Sequence, residues 1–150
     1  MTAHAPIHER REGFEISTDP VRLDFAAMHA YLTRSYWSPG ISLETVMRGA
    51  RASLCFGLYY ERRQIGLARV ITDGASFAYL CDVYVLEEYR GRGLSKWLME
   101  VVVAHPALRG LRRIVLITRD AHGLYEKFGF KPLTKPEGYM EIHRPGPYRK

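Results

Sequence analysis

The stretch "VYVLEEYRGRGLSKWL", Val83 to Leu98, joins an apolar run to a segment of helical spacing through two glycines and two arginines. Glycine removes side chains and opens backbone conformations that other residues avoid. Arginine adds a fixed fork of donors. The start of a helix leaves free N–H groups that favour an anion. The stretch is therefore read as a place where a phosphate-bearing ligand comes close to the main chain. Gly91 and Gly93 would admit it, and Arg90 and Arg92 would add charge. A Walker loop does not fit, because "GRGLSK" lacks the longer spacer before Lys and Ser. A dinucleotide fingerprint does not fit either, because Lys96 stands where its third glycine belongs. A tight turn with exposed arginines is the plain alternative.

The flanking sequence supplies the frame. Upstream, Leu54–Tyr60, Gln64–Thr72 and Phe77–Leu86 read as three strands, with "ERR" and "DGA" as turns. The third is apolar almost throughout and is expected to be central. Earlier still, Phe14, Ile16 and Thr18 alternate in a short strand. Asp24 caps a helix carrying Phe25, Met28, Leu32 and Tyr36 on one face. "SPG" breaks that helix, and Ser42 caps a second one with Leu43, Val46 and Ala50 inward. Downstream, Leu94, Leu98, Val101 and His105 recur at helical spacing until Pro106. Arg112–Thr118 reads as a strand, "DAHGLYEKF" as a short helix ended by Gly129, and Tyr139–His143 as a last strand. The expected order is βααβββαβαβ, a mixed α+β domain with one sheet and helices on both faces. Residues 1–13 are expected to be a frayed lead-in to a single domain of residues 1–150.

Composition bounds the partners. The chain has 150 residues, enough to bury roughly 68–70% of its unfolded surface. Lys and Arg number 22 against 16 acids, a net charge of +6, which favours an anionic partner. The basic residues are spread over the chain rather than striped with aromatics, so nucleic acid is not expected. No apolar run reaches membrane-spanning length, and no signal peptide is apparent. Cys55 and Cys81 sit inside apolar runs and read as reduced thiols of a cytoplasmic protein. No metal-ligand spacing occurs, and no metal is expected.

Two motifs in order carry a resemblance. Val83-Tyr84-Val85 precedes Arg90-Gly91-Arg92-Gly93-Leu94-Ser95, and "DAHGLYEKFGF" follows after one more helix and strand. Together they resemble the GNAT superfamily of acetyl-CoA-dependent N-acetyltransferases over most of the chain. The resemblance implies a mostly antiparallel, twisted sheet, splayed between the fourth and fifth of the strands from Phe14 onward. It implies that the pyrophosphate of acetyl-CoA sits on Arg90–Ser95. The pantetheine arm would pair with the backbone of Val83, Tyr84 and Val85, and Phe128 would lie near the cofactor. An acceptor amine would attack the thioester directly in a ternary complex. Tyr125 would donate to the departing thiolate, and the Val85 N–H would meet the oxyanion. Many relatives carry an Asn seven residues before this tyrosine, where Thr118 stands here; Thr118 or Asp120 is the expected substitute. Tyr79 and Cys81 occupy positions where some relatives carry a base, and here they are expected to border the acceptor. Asp82 is the only carboxylate in its apolar strand, read either as a structural acceptor or as a group that takes or steers a proton. Tyr36 and Trp37, between the first two helices, are expected to wall the acceptor site. The expected partners are acetyl-CoA and a primary amine, with a homodimer left open. A non-catalytic acyl-CoA-binding module of the same fold is the alternative function.

Overall fold

A computed structural model describes residues 4–148. Six strands form one open sheet in the order β1-β2-β3-β4-β5-β6. They are β1 (His8–Arg11), β2 (Phe14–Ser17), β3 (Leu54–Tyr60), β4 (Arg63–Thr72), β5 (Phe77–Val85) and β6 (Arg113–Leu116). All neighbours are antiparallel except β5 and β6. The helices are α1 (Phe25–Leu32), α2 (Leu43–Arg51), α3 (Leu94–Ala104) and α4 (His122–Glu126).

Local chemistry accounts for the ends of these elements. The Asp24 carboxylate accepts the Ala27 N–H at 3.0 Å, and the Ser42 hydroxyl accepts the Thr45 N–H at 3.1 Å, so both predicted caps start their helices. Glu61 and Arg62 have φ of 50° and 69°, the two left-handed central residues that a tight hairpin between β3 and β4 requires.

The sheet buries both faces. Met28, Tyr31 and Leu32 of α1 and Val46 and Ala50 of α2 pack with Cys55, Leu67 and Tyr84 on one side. On the other, Leu94, Trp97, Leu98, Met99 and Val102 of α3, with Tyr125 of α4, cover Phe56, Leu58, Ala78, Leu80 and Val85. Gly66, on β4 opposite Val85 of β5, has no room for a side chain. A Cβ there would sit 2.7 Å from the Tyr84 carbonyl oxygen and 3.0 Å from Leu58. Gly66→Ala is therefore expected to destabilise the fold by ~1–3 kcal/mol, as overpacking does, read as a lowered denaturation midpoint with an unchanged slope.

Three expectations are corrected. Residues 8–11, expected to be part of a frayed lead-in, form β1, paired with β2 through the Glu12-Gly13 turn. Every β1 residue is exposed, so no apolar alternation marks it; its charges suit a sheet edge. Residues 1–3 of that lead-in lie outside the described residues. The first helix stops at Leu32 rather than running to Tyr36, because Ser35 and Ser38 bond the Leu32 carbonyl and turn the chain. Tyr139–His143 forms no strand: Met140 is 98% and Ile142 83% exposed. Because β1 precedes the strand at Phe14, the expected splay falls between β5 and β6. Their pairing ends at Leu80 and Leu116, whereas β5 continues to Val85. Residues 81–85 thus have no strand on their β6 side.

Candidate active site

The glycine stretch forms an open cradle at the N-terminus of α3. Gly91 and Gly93 have φ of 81° and 74°, and a Cβ at either would meet nothing within 4 Å. Their need for glycine is conformational, and the space beside them is free. Gly93 is the N-cap of α3 and makes no side-chain cap. The first N–H of α3 with an internal partner is that of Trp97, which donates to the Gly93 carbonyl. The N–H groups of Leu94, Ser95 and Lys96 are therefore left to face the cradle.

The two arginines differ. Arg90 turns back into the protein: its Nε donates to the Val85 carbonyl at 2.9 Å and its Nη2 to the Tyr31 hydroxyl at 2.9 Å. It clamps the end of β5 to α1. Arg92 forms no ion pair among the described residues, and its guanidinium lies 5.9 Å from the Tyr89 ring centroid. Leu94 and Tyr84 point inward, so only their backbones face outward. Tyr84 stacks on Tyr31 at 4.0 Å, and burial pushes its phenol pKa up.

The open edge of β5 is shaped by a bulge. Leu67 pairs with Tyr84 and Arg69 with Cys81, so Asp82 and Val83 together oppose Ala68. Asp82 takes the left-handed φ of 51°. Beyond the bulge the Leu86 N–H donates to the Ile65 carbonyl. By strand alternation Val85 then turns its N–H and C=O to the opposite edge, toward the splay. Arg90 takes the C=O, and the N–H remains.

The bulged Asp82 is fully engaged. Oδ2 accepts from Arg69 Nε at 2.8 Å, and Oδ1 accepts from Trp37 Nε1 at 2.8 Å. Arg69 also donates to the Ser53 hydroxyl at 3.0 Å. Burial works against the Arg69 charge, and its acidic neighbours, Asp82 first, more than offset it and raise its pKa. Arg69 was not among the predicted site residues. The signal was available: it is the one charged residue within "QIGLARVIT", beside the strand that carries the lone Asp82. Asp82→Ala would leave Arg69 half-buried without its partner. We expect a loss of ~1–3 kcal/mol of stability, measured by chemical denaturation. Asp82→Asn, which keeps an acceptor, should lose less.

The loop after α1 spans the splay. Trp37 bonds Asp82 on β5, while the Tyr36 hydroxyl accepts the Arg119 N–H at 3.3 Å beyond the end of β6. The Arg119 guanidinium covers the Tyr36 ring at 3.9 Å. Tyr36 and Trp37, 46% and 38% exposed, therefore line the mouth of the cleft. Tyr79 and Cys81 project from β5 on the same sheet face as Trp37's partner, Asp82. Burial raises both of their pKa values, that of Cys81 to about 11, so its thiol stays protonated near neutral pH.

Across the splay, α4 carries Tyr125. The ring is 8% exposed and packs edge-on against Phe130 at 5.8 Å. Burial first, then Tyr36 and Asp120, push its pKa up to about 12. The phenol is thus a proton donor and not an anion at neutral pH. Thr118 Oγ1 accepts the Ala121 N–H at 3.0 Å, closing the turn into α4, and its own O–H stays available. Asp120 is exposed, and Phe128 packs against the α3-side core. Among the described residues no cluster of His, Cys, Asp and Glu could hold a metal. No helix among the described residues is long and apolar enough to cross a membrane.

A mixed α+β sheet, splayed between β5 and β6 beside an open glycine turn at the start of α3, is the arrangement that the comparisons match. The chain belongs to the acetyltransferase (GNAT) family, whose model matches residues 18–130. It is 33% identical over 161 residues to an acetyltransferase-designated protein of Gibberella zeae, covering 91% of this chain and 90% of the relative. Its fold matches the crystal structure of a protein assigned to the GNAT family from Xanthomonas campestris pv. campestris. That match has a TM-score of 0.89 and 49% identity, over 91% of this chain and 97% of the other. A GNAT-family structure from Elizabethkingia anophelis, solved with acetyl-CoA bound, shares the fold at TM-score 0.63 and 16% identity, covering 91% and 92% of the two chains.

Proposed function

We propose that the protein transfers the acetyl group of acetyl-CoA directly to a primary amine within a ternary complex. The observation that carries this reading is the cradle. Two left-handed glycines with open space beside them lead into the unpaired N–H groups of α3, next to an unpaired stretch of β5. A pyrophosphate fits the first feature and an extended amide-bearing arm fits the second. The acetyl-CoA bound to the Elizabethkingia relative supports the choice of ligand.

The chemistry then follows from the residues present. The pyrophosphate takes hydrogen bonds from the loop and from the first turn of α3, with Arg92 adding charge. Arg90 acts one step away, by fixing the end of β5. The pantetheine arm pairs with the backbone from Val83 to Val85, near Phe128 and the Thr118 hydroxyl. The neutral amine attacks the thioester carbonyl carbon, and the Val85 N–H receives the oxyanion. Collapse forms the amide and breaks the C–S bond. Tyr125 gives its proton to the thiolate, and the proton lost by the amine passes through water and restores the phenol. Asp82, held by Arg69 and Trp37, orients the acceptor wall instead of accepting a proton. Tyr36, Trp37, Tyr79 and Cys81 border the acceptor.

The test is release of free thiol from acetyl-CoA over a panel of amines, with the acetylated product read by mass spectrometry. Amine-dependent release supports transfer. Cofactor binding without release from any amine would make the protein a binding module.

A further inference from the structure

We propose that the acceptor amine also carries a carboxylate, as an amino acid does, and that Arg119 binds this carboxylate at the mouth of the cleft. The proposal rests on the acetyl-transfer reading and adds to it the chemical class of the acceptor. Arg119 follows β6, directly after Thr118, and meets the loop after α1 across the splay. Its N–H donates to the Tyr36 hydroxyl at 3.3 Å, and its guanidinium lies over the Tyr36 ring at 3.9 Å. Tyr36 packs edge-on against Trp37 at 5.0 Å, and Trp37 donates to Asp82 on β5. Tyr36 is also near enough to Tyr125 to help push its pKa up. The guanidinium therefore stands at the aromatic wall proposed for the acceptor, on the side of the splay that carries Tyr125.

Arg119 is exposed, and among the described residues no carboxylate lies within ion-pair distance of it. The stacked geometry leaves the right donors open. A guanidinium over a ring spends its face, while the N–H groups at its edge point outward as the fork that matches a planar carboxylate. Two other arginines on the elements that frame the cleft are occupied. Arg34 gives both terminal nitrogens to Glu87 at 2.7 and 3.1 Å, and Arg69 Nε bonds Asp82 at 2.8 Å. One free fork suits one carboxylate. A polyamine is the contrary case. Its second ammonium needs a free carboxylate in the wall, and Asp82 has both oxygens engaged, by Arg69 and Trp37. The exposed parts of Tyr36 and Trp37 leave apolar surface for the carbon chain between amine and carboxylate. The net charge of +6 favours an anionic acceptor in the same sense.

Thiol release from acetyl-CoA by glycine, β-alanine, ornithine and free lysine, each compared with its own carboxamide, tests this on the full chain. At least one pair is expected to favour the acid by ~10-fold or more in kcat/KM, the worth of a charge-assisted hydrogen bond, with most of the difference in KM. Arg119→Ala should bring that ratio close to unity, and Arg119→Lys, a point charge without the fork, should restore part of it. Both variants keep the main-chain N–H that holds Tyr36. Acetyl-CoA affinity, read by calorimetry, should stay within a few-fold of wild type. Equal rates within every pair, or release by the carboxamides alone, overturn the proposal and leave acetyl transfer standing. A preference for the acid that survives in Arg119→Ala overturns it too. So does a loss in that variant confined to acetyl-CoA affinity, because Arg119 would then serve the phosphates. No thiol release with any amine overturns acetyl transfer and this proposal together.

Discussion

Tyr125→Phe is expected to lower kcat on the order of 100-fold while acetyl-CoA affinity stays within a few-fold of wild type. The ring is 8% exposed and packed against Phe130, so phenylalanine keeps the packing and removes only the hydroxyl. Burial raises the phenol pKa to about 12, so the hydroxyl carries its proton throughout the neutral and moderately alkaline range. A positioned general acid contributes roughly 10²- to 10⁴-fold. The lower end applies, because a thiol of pKa ~8.5 is a fair leaving group without full protonation. The raised pKa also has a sign in the pH profile. The acid form is lost only as pH climbs toward about 12, so Tyr125 should impose no fall in rate between pH 7 and 9. Steady-state kinetics beside a cofactor titration separates the outcomes. A loss confined to affinity would make Tyr125 a packing surface for the pantetheine, and full activity would remove it from the chemistry.

Gly93→Val should abolish measurable acetyl-CoA binding, a loss of at least ~100-fold in affinity, with a smaller effect on folding. Gly93 sits at φ 74° with open space around it. A β-branched residue resists the left-handed conformation, at a cost of roughly 1–2 kcal/mol. Relief of that strain would re-aim the N–H groups of Leu94 and Ser95, and the side chain itself would enter the space kept for the phosphates. Arg92→Ala should be much milder, since it removes one charge and leaves the backbone donors in place. Calorimetric titration of both variants measures the contrast. Wild-type affinity in a folded Gly93→Val protein would mean that the phosphates bind elsewhere.

The sequence and the structure agree most closely where local chemistry decides. The strand, the glycine turn and the helix from Phe77 to Ala104 were legible because a nearly continuous apolar run, two glycines and helical spacing meet there without conflict. Four features were not. β1 carries no apolar residue, so its pairing is dictated by the Glu12-Gly13 turn and by the edge of β2 rather than by its own pattern. The left-handed bulge at Asp82 lies within an otherwise apolar strand run that masks it, and it is held by contacts from Arg69 and Trp37, distant in sequence. Arg90 resembles a phosphate ligand in sequence, yet the structure spends it on the Val85 carbonyl and the Tyr31 hydroxyl. Tyr139–His143 has strand periodicity but pairs with no strand among the described residues. Periodicity states what a segment can pair with and not where the partner lies.

The roles proposed for Tyr36, Trp37 and Asp82 share one physical basis. Trp37 and Tyr36 tie the loop after α1 to both sides of the splay, through Asp82 on β5 and the Arg119 amide beyond β6. The proposed acceptor wall is therefore fixed to the same bulge that turns Val85 toward the cleft. Changes at Arg69 or Asp82 should consequently raise the KM for the amine more than they alter acetyl-CoA affinity.

The central claim is that the cradle between β5 and α3 binds acetyl-CoA, and titration of the wild-type protein tests it most directly. The melting temperature should rise steadily with acetyl-CoA, reaching a stabilisation of ~2.7 kcal/mol at about 100 times the dissociation constant. No shift at millimolar acetyl-CoA would contradict the account.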